Sequence, residues 1–175
     1  MWRIESAKVI ASVARVVRDL ALAEELAQDA FVAALEHWSE AGVPEKPGAW
    51  LMTTAKNKAL DRLRQHALRA RKHEEYGRDL DAQEDDIGDD LLRLIFTACH
   101  PVLSVDARAA LTLRLIGGLI TDGIARAFLV PEPTIAQRIV RAKRTLSAAR
   151  VPFEMPKVGP TRARRGADRC SKSST

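Results

Sequence analysis

The sequence predicts an all-α protein built from two small helical modules. Alanine, leucine, glutamate and arginine dominate the chain, and all four are strong helix formers. Alternating runs of apolar and polar residues rich in β-branched side chains, which would indicate strands, do not occur. Charge is also segregated, because residues 79–90 contain seven acids and no base, whereas residues 134–150 contain five bases and no acid. This segregation favours separate modules joined by an acidic linker.

The N-terminal module is predicted to contain helical segments over about residues 5–38 and 49–65. The first segment is expected to break near residues 18–22, where Asp19 can act as the N-cap of the next helix. The intervening GVPEKPG, residues 42–48, is typical of a turn. The acidic run after these helices has too few apolar residues to pack and is predicted to be a solvated linker.

The C-terminal module is predicted to begin at about Asp89 with a helix that ends before Pro101. Ser104 is the expected N-cap of the next helix, which should stop at Gly117 and Gly118. A short helix over 121–128 and a tight turn should follow. Glu132 is then expected to open the last helix, with a proline in its first turn.

The last two helices have the pattern of a helix-turn-helix. On a 100° helical wheel, the predicted buried stripe of the last helix comprises Ile135, Ile139, Ala142 and Leu146. The predicted DNA-reading face comprises Gln137, Arg141 and Arg144, flanked by Thr134 and Arg138. Arginine and glutamine suit the base edges of the major groove, and a threonine hydroxyl at a helix N-terminus suits a phosphate. Lys143 lies between the two faces and is expected at most to contact a phosphate.

This C-terminal stretch resembles region 4 of the extracytoplasmic-function (ECF) sigma factors. LSVDARAALTLRLIGGLITDGIARAFLVPEPTIAQRIVRAKRTL, residues 103–146, fits the family pattern without a gap. The resemblance implies recognition of the −35 promoter element. Leu129 replaces the usual turn glycine and Gly123 replaces an acidic helix former. Each departure costs about 1 kcal/mol, so this module is expected to be less stable than its relatives.

The N-terminal half resembles region 2 of the same family. AEELAQDAFVAALEHW, residues 23–38, resembles region 2.2, which implies that Glu25, Gln28 and Asp29 face the polymerase clamp helices. GAWLMTTAKNKALDRLRQ, residues 48–65, resembles regions 2.3 to 2.4, which implies −10 element recognition and melting by Trp50, Asn57, Asp61 and Arg64. A helical wheel places these four on one side, where an aromatic, an amide and a guanidinium suit unpaired bases. Trp50 is also consistent with a core residue, and Asp61 with Arg64 is consistent with a surface ion pair.

The resemblance divides the chain into region 2 at 1–68, an acidic flexible linker at 69–89, region 4 at 90–150 and a basic disordered tail at 151–175. WRIESA and IGDDLLRLIFTACHP most resemble a subgroup that carries a long helical C-terminal extension. This chain is expected to lack that extension. The part of the tail after Pro156 carries six bases and one acid, and this difference equals the net charge of +5.

The resemblance implies a sigma factor that binds core RNA polymerase and promoter DNA, and it admits an anti-sigma factor as a further partner. The alternative is a helix-turn-helix repressor or activator that binds DNA as a dimer, which would not account for the region 2 pattern. The sequence contains no GxSxG or HExxH motif, and no enzymatic activity, metal or cofactor is predicted. Cys99 is interpreted as a buried residue at a helix end. No stretch approaches the roughly 18 apolar residues that a membrane span needs, and the N-terminus lacks the pattern of a secretory signal peptide. A cytoplasmic location is therefore expected.

Overall fold

The computed structural model describes residues 2–70 and 84–155, and all the regular structure in these two ranges is helical. The all-α prediction is therefore confirmed. In these ranges the helices are α1 (Trp2–Val17), α2 (Leu20–Ala41), α3 (Pro47–Ala70), α4 (Glu84–Ala98), α5 (Val105–Leu115), α6 (Thr121–Ala127) and α7 (Glu132–Ala148). The predicted tail from residue 156 onward and most of the predicted linker lie outside the described residues.

Both predicted N-caps are confirmed. The Asp19 carboxylate accepts a hydrogen bond from the backbone N–H of Leu22 at 2.9 Å, which starts α2 directly after the break from α1. The Ser104 hydroxyl oxygen accepts from the backbone N–H of Ala107 at 3.3 Å and starts α5. Each cap satisfies one of the backbone donors that a helix N-terminus leaves without an intrahelical partner.

The N-terminal module is the bundle of α1, α2 and α3, in which each helix packs against the other two. Its interior is dominated by small side chains, and the buried alanines are Ala7, Ala11, Ala14, Ala23, Ala27, Ala30, Ala34, Ala55 and Ala59. Such residues bring helix axes toward the close end of the usual separation of about 8–10 Å. The tight bundle holds the outer faces of α2 and α3 in a fixed orientation.

The C-terminal module consists of α5, α6 and α7, with α7 packed against both of the others. The predicted stripe of α7 is confirmed, since Ile135, Ile139, Ala142 and Leu146 are all buried. Leu111 and Leu115 of α5 and Ile124 of α6 complete this core. The two modules also contact each other, because α7 packs on α2 and α5 on α1.

Helix α4 packs on α1 of the first module and on α5 of the second. It begins at Glu84, earlier than the predicted start at Asp89, so that prediction was wrong. The physical reason is that acidic residues in a first turn interact favourably with the helix dipole, even where apolar residues are few. The acidic run also ends in a buried residue: the side chain of Asp90 is fully buried and pairs with Arg15 at 3.2 Å and Arg93 at 2.8 Å.

The turn between α6 and α7 contains a leucine in left-handed backbone conformation. Leu129 has a φ of 54° and is 92% exposed, so its side chain gains little packing in return for the strain. Gly123 lies inside α6, as the sequence indicates. An ion pair between Arg126 and Asp122 also spans this short helix, and its hydrogen bond lowers the pKa of Asp122 below the ordinary value.

We expect the substitution Leu129→Gly to stabilise the protein by about 1 kcal/mol, because glycine adopts positive φ without the Cβ penalty. Thermal unfolding followed by circular dichroism should show a midpoint a few degrees higher. Leu129→Ala is the matched control, since it shortens the side chain but keeps the Cβ. A midpoint for Leu129→Gly that does not exceed the control would contradict backbone strain at this turn.

Candidate nucleic-acid interface

The outer face of α7 presents a row of polar side chains. The helix starts after Pro131, and Pro133 occupies the first turn, where a missing N–H removes no helical hydrogen bond. Of the five predicted DNA-reading residues, four are exposed: Thr134, Gln137, Arg141 and Arg144. Because the opposite face is buried against α5 and α6, these four side chains lie on the solvent-exposed side of α7.

Arg138, the fifth predicted reading residue, is partly buried. Its guanidinium lies 5.6 Å from the centroid of the Phe128 ring, which is a cation–π geometry. It also lies 3.6 Å from a carboxylate oxygen of Asp106 on α5. Arg138 therefore ties the three helices of the C-terminal module together at the edge of the reading face.

A groove of about 350 Å³ runs between α7 and the segment that precedes α5. Thr134, Gln137 and Arg141 line one side of this groove, and Val102 and Ser104 line the other. Val102 and Ser104 are not among the residues predicted for the site. Their positions in the sequence do not indicate that they belong to the site, because only the folded module brings them beside the reading face.

Lys143 lies partly buried between the two faces of α7 and is paired in this structure, so its contact with a phosphate stays a prediction. Its ammonium group pairs with the carboxylate of Glu24 on α2, and its side chain is only 17% exposed. The physical reason is that Glu24 is itself buried and needs a cationic partner. A helical wheel of α7 contains no information about a partner in the other module.

The outer face of α3 presents three of the four residues predicted to act at the −10 element. Asn57, Asp61 and Arg64 are exposed, and the last two form an ion pair at 3.3 Å. Trp50 does not extend freely from this surface. Its ring is partly buried, stacked on His37 with centroids 5.7 Å apart and set edge-on to Trp38 at 5.5 Å. Trp50 thus packs where α2 and α3 meet.

The predicted polymerase-facing residues Glu25, Gln28 and Asp29 are all exposed on α2. The same face continues with two exposed apolar side chains, Val32 at 53% and Leu35 at 69%. These two residues are not among those predicted for the polymerase-facing surface. Their positions in the sequence indicate a shared surface, because each lies seven positions after a predicted site residue and therefore on the same side of the helix.

Cys99 is exposed, so its interpretation as a buried residue was wrong. It lies at the end of α4, where the helix gives way to the turn before α5. Its sulfur is 3.6 Å from the hydroxyl oxygen of Thr112. The cysteine side chain therefore touches α5 on one side and remains exposed on the other.

Comparisons with known proteins match each half of the chain to a family model. Residues 2–69 match the family model described as Sigma-70 region 2, and residues 93–146 match that described as Sigma-70, region 4. ECF RNA polymerase sigma factor SigK of Mycobacterium ulcerans (strain Agy99) is 29% identical over 148 residues, which are 79% of this chain and 78% of that protein. The chain belongs to the ECF group of the sigma-70 family.

Two further relatives extend the comparison of this sigma-family chain. SigK of Mycobacterium sp. (strain KMS) is 29% identical over 141 residues, covering 75% of the chain and 72% of that protein. An uncharacterised protein of Rhizobium meliloti (strain 1021) is 41% identical over 152 residues, or 81% of the chain. The chain spans only 36% of the length of the Rhizobium protein.

The contrast between Trp50 and Asn57 predicts unequal effects of their substitution on stability. Trp50→Ala should lower the free energy of unfolding by about 2–3 kcal/mol, because it removes a packed aromatic ring. Asn57→Ala, on the exposed face of the same helix, should change it by no more than about 0.5 kcal/mol. Urea unfolding of both variants measures this. Equal stability of the two variants would show that Trp50 is not part of the packed structure.

Proposed function

We propose that the chain is a transcription initiation factor that binds core RNA polymerase and directs it to promoters. The single observation that carries the proposal is that both modules match sigma family models and both present polar faces outward. One face lies on α3 and the other on α7. A protein that must bind DNA at two places needs two such surfaces. The role is non-enzymatic, and its place of action is the cytoplasm, where core polymerase transcribes DNA.

For the −35 element, we propose reading by the outer face of α7 in the major groove. The residues are Thr134, Gln137, Arg138, Arg141 and Arg144. Arginine donates bidentately to guanine O6 and N7, and glutamine pairs with adenine N6 and N7. The groove that Gln137 and Arg141 share with Ser104 supports a close approach of the DNA backbone at this end of the helix.

For the −10 element, we propose that the α3 face binds unpaired bases. Asn57 and Arg64 can hydrogen-bond to exposed base edges, and Asp61 orients Arg64 through their ion pair. Trp50 is already stacked on His37, so its contribution to base stacking is limited to the part of the ring that remains exposed. The exposed polar residues therefore carry most of the proposed melting role.

For core polymerase, we propose that the outer face of α2 is the binding surface. Glu25, Gln28 and Asp29 supply polar and acidic contacts, and Val32 and Leu35 supply apolar area next to them. Exposed apolar area beside charged and polar side chains suits a protein–protein interface. An anti-sigma factor, if the chain has one, would compete with polymerase or DNA for these same surfaces.

Run-off transcription on a genomic promoter library, with core polymerase and with or without this chain, tests the function. We expect transcripts from a defined set of promoters only when the chain is present. A dimeric repressor would instead bind a palindromic site without polymerase and would add no transcripts.

Charge reversal on α2 should weaken polymerase binding. Glu25→Lys and Asp29→Lys oppose a complementary interface and should each cost a few kcal/mol in affinity, measured by pull-down of core polymerase. Glu40→Lys, on the exposed end of the same helix, is the matched control. If both variants retain wild-type binding while circular dichroism shows intact helices, the α2 surface is wrongly assigned.

Substitutions on the outer face of α7 should change promoter preference. In holoenzyme, Gln137→Ala and Arg141→Ala should each cost roughly 1–3 kcal/mol on the matched promoter and relax specificity at particular base pairs. Transcription from a set of single-base promoter variants measures both effects. Arg126→Ala removes an exposed charge from α6 and should leave base preference unchanged. A uniform loss across all promoter variants for Arg141→Ala would assign that residue to the DNA backbone.

A further inference from the structure

A cavity of about 500 Å³ lies where the end of α1, the start of α2, helix α4 and the end of α7 come together. This volume is within the range of roughly 300–1,000 Å³ that is usual for pockets holding small molecules. Residues 151–154, which follow α7, form part of its wall. None of the residues proposed above to bind polymerase or promoter DNA lines this cavity. The proposed function therefore leaves it without a role.

Positive charge predominates in the polar part of the cavity wall. The basic residues of the lining are Arg15, Arg18, Arg93, Lys143 and Arg150, and the acidic residues are Asp19 and Glu154. Two buried carboxylates outside the lining, Asp90 and Glu24, pair with some of these bases. Even with these two carboxylates counted, the five bases outnumber the four acids. The wall therefore favours an anionic ligand over a cationic one.

The five bases of the lining differ in whether they already have an acidic partner. Arg15 and Arg93 pair with Asp90, and Lys143 is paired as described above. Arg18 and Arg150 are both exposed, and neither forms an ion pair within residues 5–65 and 88–155, whose side chains the structure describes. The guanidinium groups of these two arginines are therefore the ones that can bind an anion in the cavity without first breaking an internal ion pair.

The same two arginines have an uncommon backbone conformation. Arg18 follows α1 with a φ of 53°, and Arg150 follows α7 with a φ of 47°. The amide of Arg18 donates to the carbonyl of Ala14 at 2.9 Å, and the amide of Val151 donates to the carbonyl of Leu146 at 3.1 Å. These are two standard ways to end a helix on a left-handed residue, and glycine is usual there because it carries no Cβ. Arginine thus replaces the relaxed residue at two helix ends that line one cavity, and backbone strain of this kind is concentrated at ligand-binding sites.

The cavity also has an apolar wall, which includes one aromatic ring. Leu20, Leu146, Val151 and Phe153 contribute to this wall. Val151 and Phe153 are partly buried and pack against the hydrophobic core, so the segment after α7 is held in place. An aromatic ring stacks on any nucleobase, because every base has a flat π-face. The lining therefore combines a stacking surface with two arginines that can donate to phosphate.

We propose that this cavity binds a nucleoside polyphosphate, with the base against Phe153 and the phosphates on Arg18 and Arg150. Arginine suits this role because its planar guanidinium donates two parallel hydrogen bonds to a phosphate. An inorganic anion would use only the basic part of the wall, and an uncharged apolar ligand would use only the other part. A nucleotide uses both. The site lies apart from the proposed polymerase and promoter surfaces, so the proposal does not rest on the proposed function.

Isothermal titration calorimetry of the full chain tests the site. The probes are ATP, GTP, inorganic pyrophosphate and adenosine, in EDTA and at about 150 mM salt, where weak surface electrostatics are screened. ATP and GTP should each bind with one molecule per chain. Each should bind roughly tenfold or more tightly than pyrophosphate, which has no base to stack, and than adenosine, which has no phosphate.

Substitutions in the lining separate the two parts of the site. Arg18→Gln and Arg150→Gln should each weaken the binding of ATP and of pyrophosphate roughly tenfold or more, because each removes a charged donor. Phe153→Leu keeps an apolar side chain but removes the ring, so it should weaken ATP binding roughly tenfold and leave pyrophosphate binding unchanged. Arg62→Gln, which removes an exposed arginine of α3, is the matched control and should bind ATP as the wild type does.

A further control concerns the bases after residue 156. Arg164→Gln combined with Arg165→Gln removes two positive charges from that part of the sequence and should leave ATP binding unchanged. Circular dichroism of every variant checks the helix content. Arg18, Arg150 and Phe153 lie on different elements, so loss of the fold in one variant leaves the other two as the test.

Three results would overturn the proposal. The first is no binding of ATP or GTP at about 1 mM, which is weaker than a specific site requires. The second is wild-type ATP affinity in both Arg18→Gln and Arg150→Gln, or a loss in the Arg164 and Arg165 double variant as large as theirs. The third is equal affinity for ATP and pyrophosphate, since a site that ignores the base is not a nucleotide site.

Discussion

The desolvated carboxylate of Glu24 is the interaction that fixes how α2 of the N-terminal module meets the C-terminal module. Arg114 and Lys143 are both drawn out of solvent to neutralise it, and each belongs to a helix of the C-terminal module. Buried ion pairs add little net stability compared with apolar packing, but they form only when the charged groups have a defined arrangement. An apolar contact between the modules would tolerate sliding, whereas this one fixes which turn of α7 meets which turn of α2.

Local features of the fold could be predicted from the sequence because their causes lie within a few residues. Asp19 and Ser104 cap the helices that start beside them, and the buried stripe of α7 follows from helical periodicity alone. The left-handed Leu129 was predictable because the turn it occupies demands positive φ whatever residue stands there. The predicted start of α4 was wrong because the acidic run has few apolar residues, although acids in a first turn favour a helix.

The contacts that the sequence did not predict are those between distant elements. No residue near Lys143 on α7 indicates that its partner lies on α2. A helical wheel contains only the residues of one helix, so a side chain that pairs with another helix is counted as exposed to solvent. The wheel of α3 likewise does not show the contacts of Trp50 with another helix. His37 and Trp38 of α2 cover part of its ring. For the candidate site, the wheel identified the exposed residues of α3 and α7 but not those that approach from other elements.

The alanine-rich interior of the N-terminal module has an entropic consequence for binding. An alanine side chain has no rotamers to lose, so the interior of α1, α2 and α3 has little side-chain freedom for a partner to freeze. The ordering cost of an association then falls on the surface residues that touch the partner. A module of this kind is preorganised, and the affinity of its outer faces can be tuned by surface substitutions without first repacking its centre.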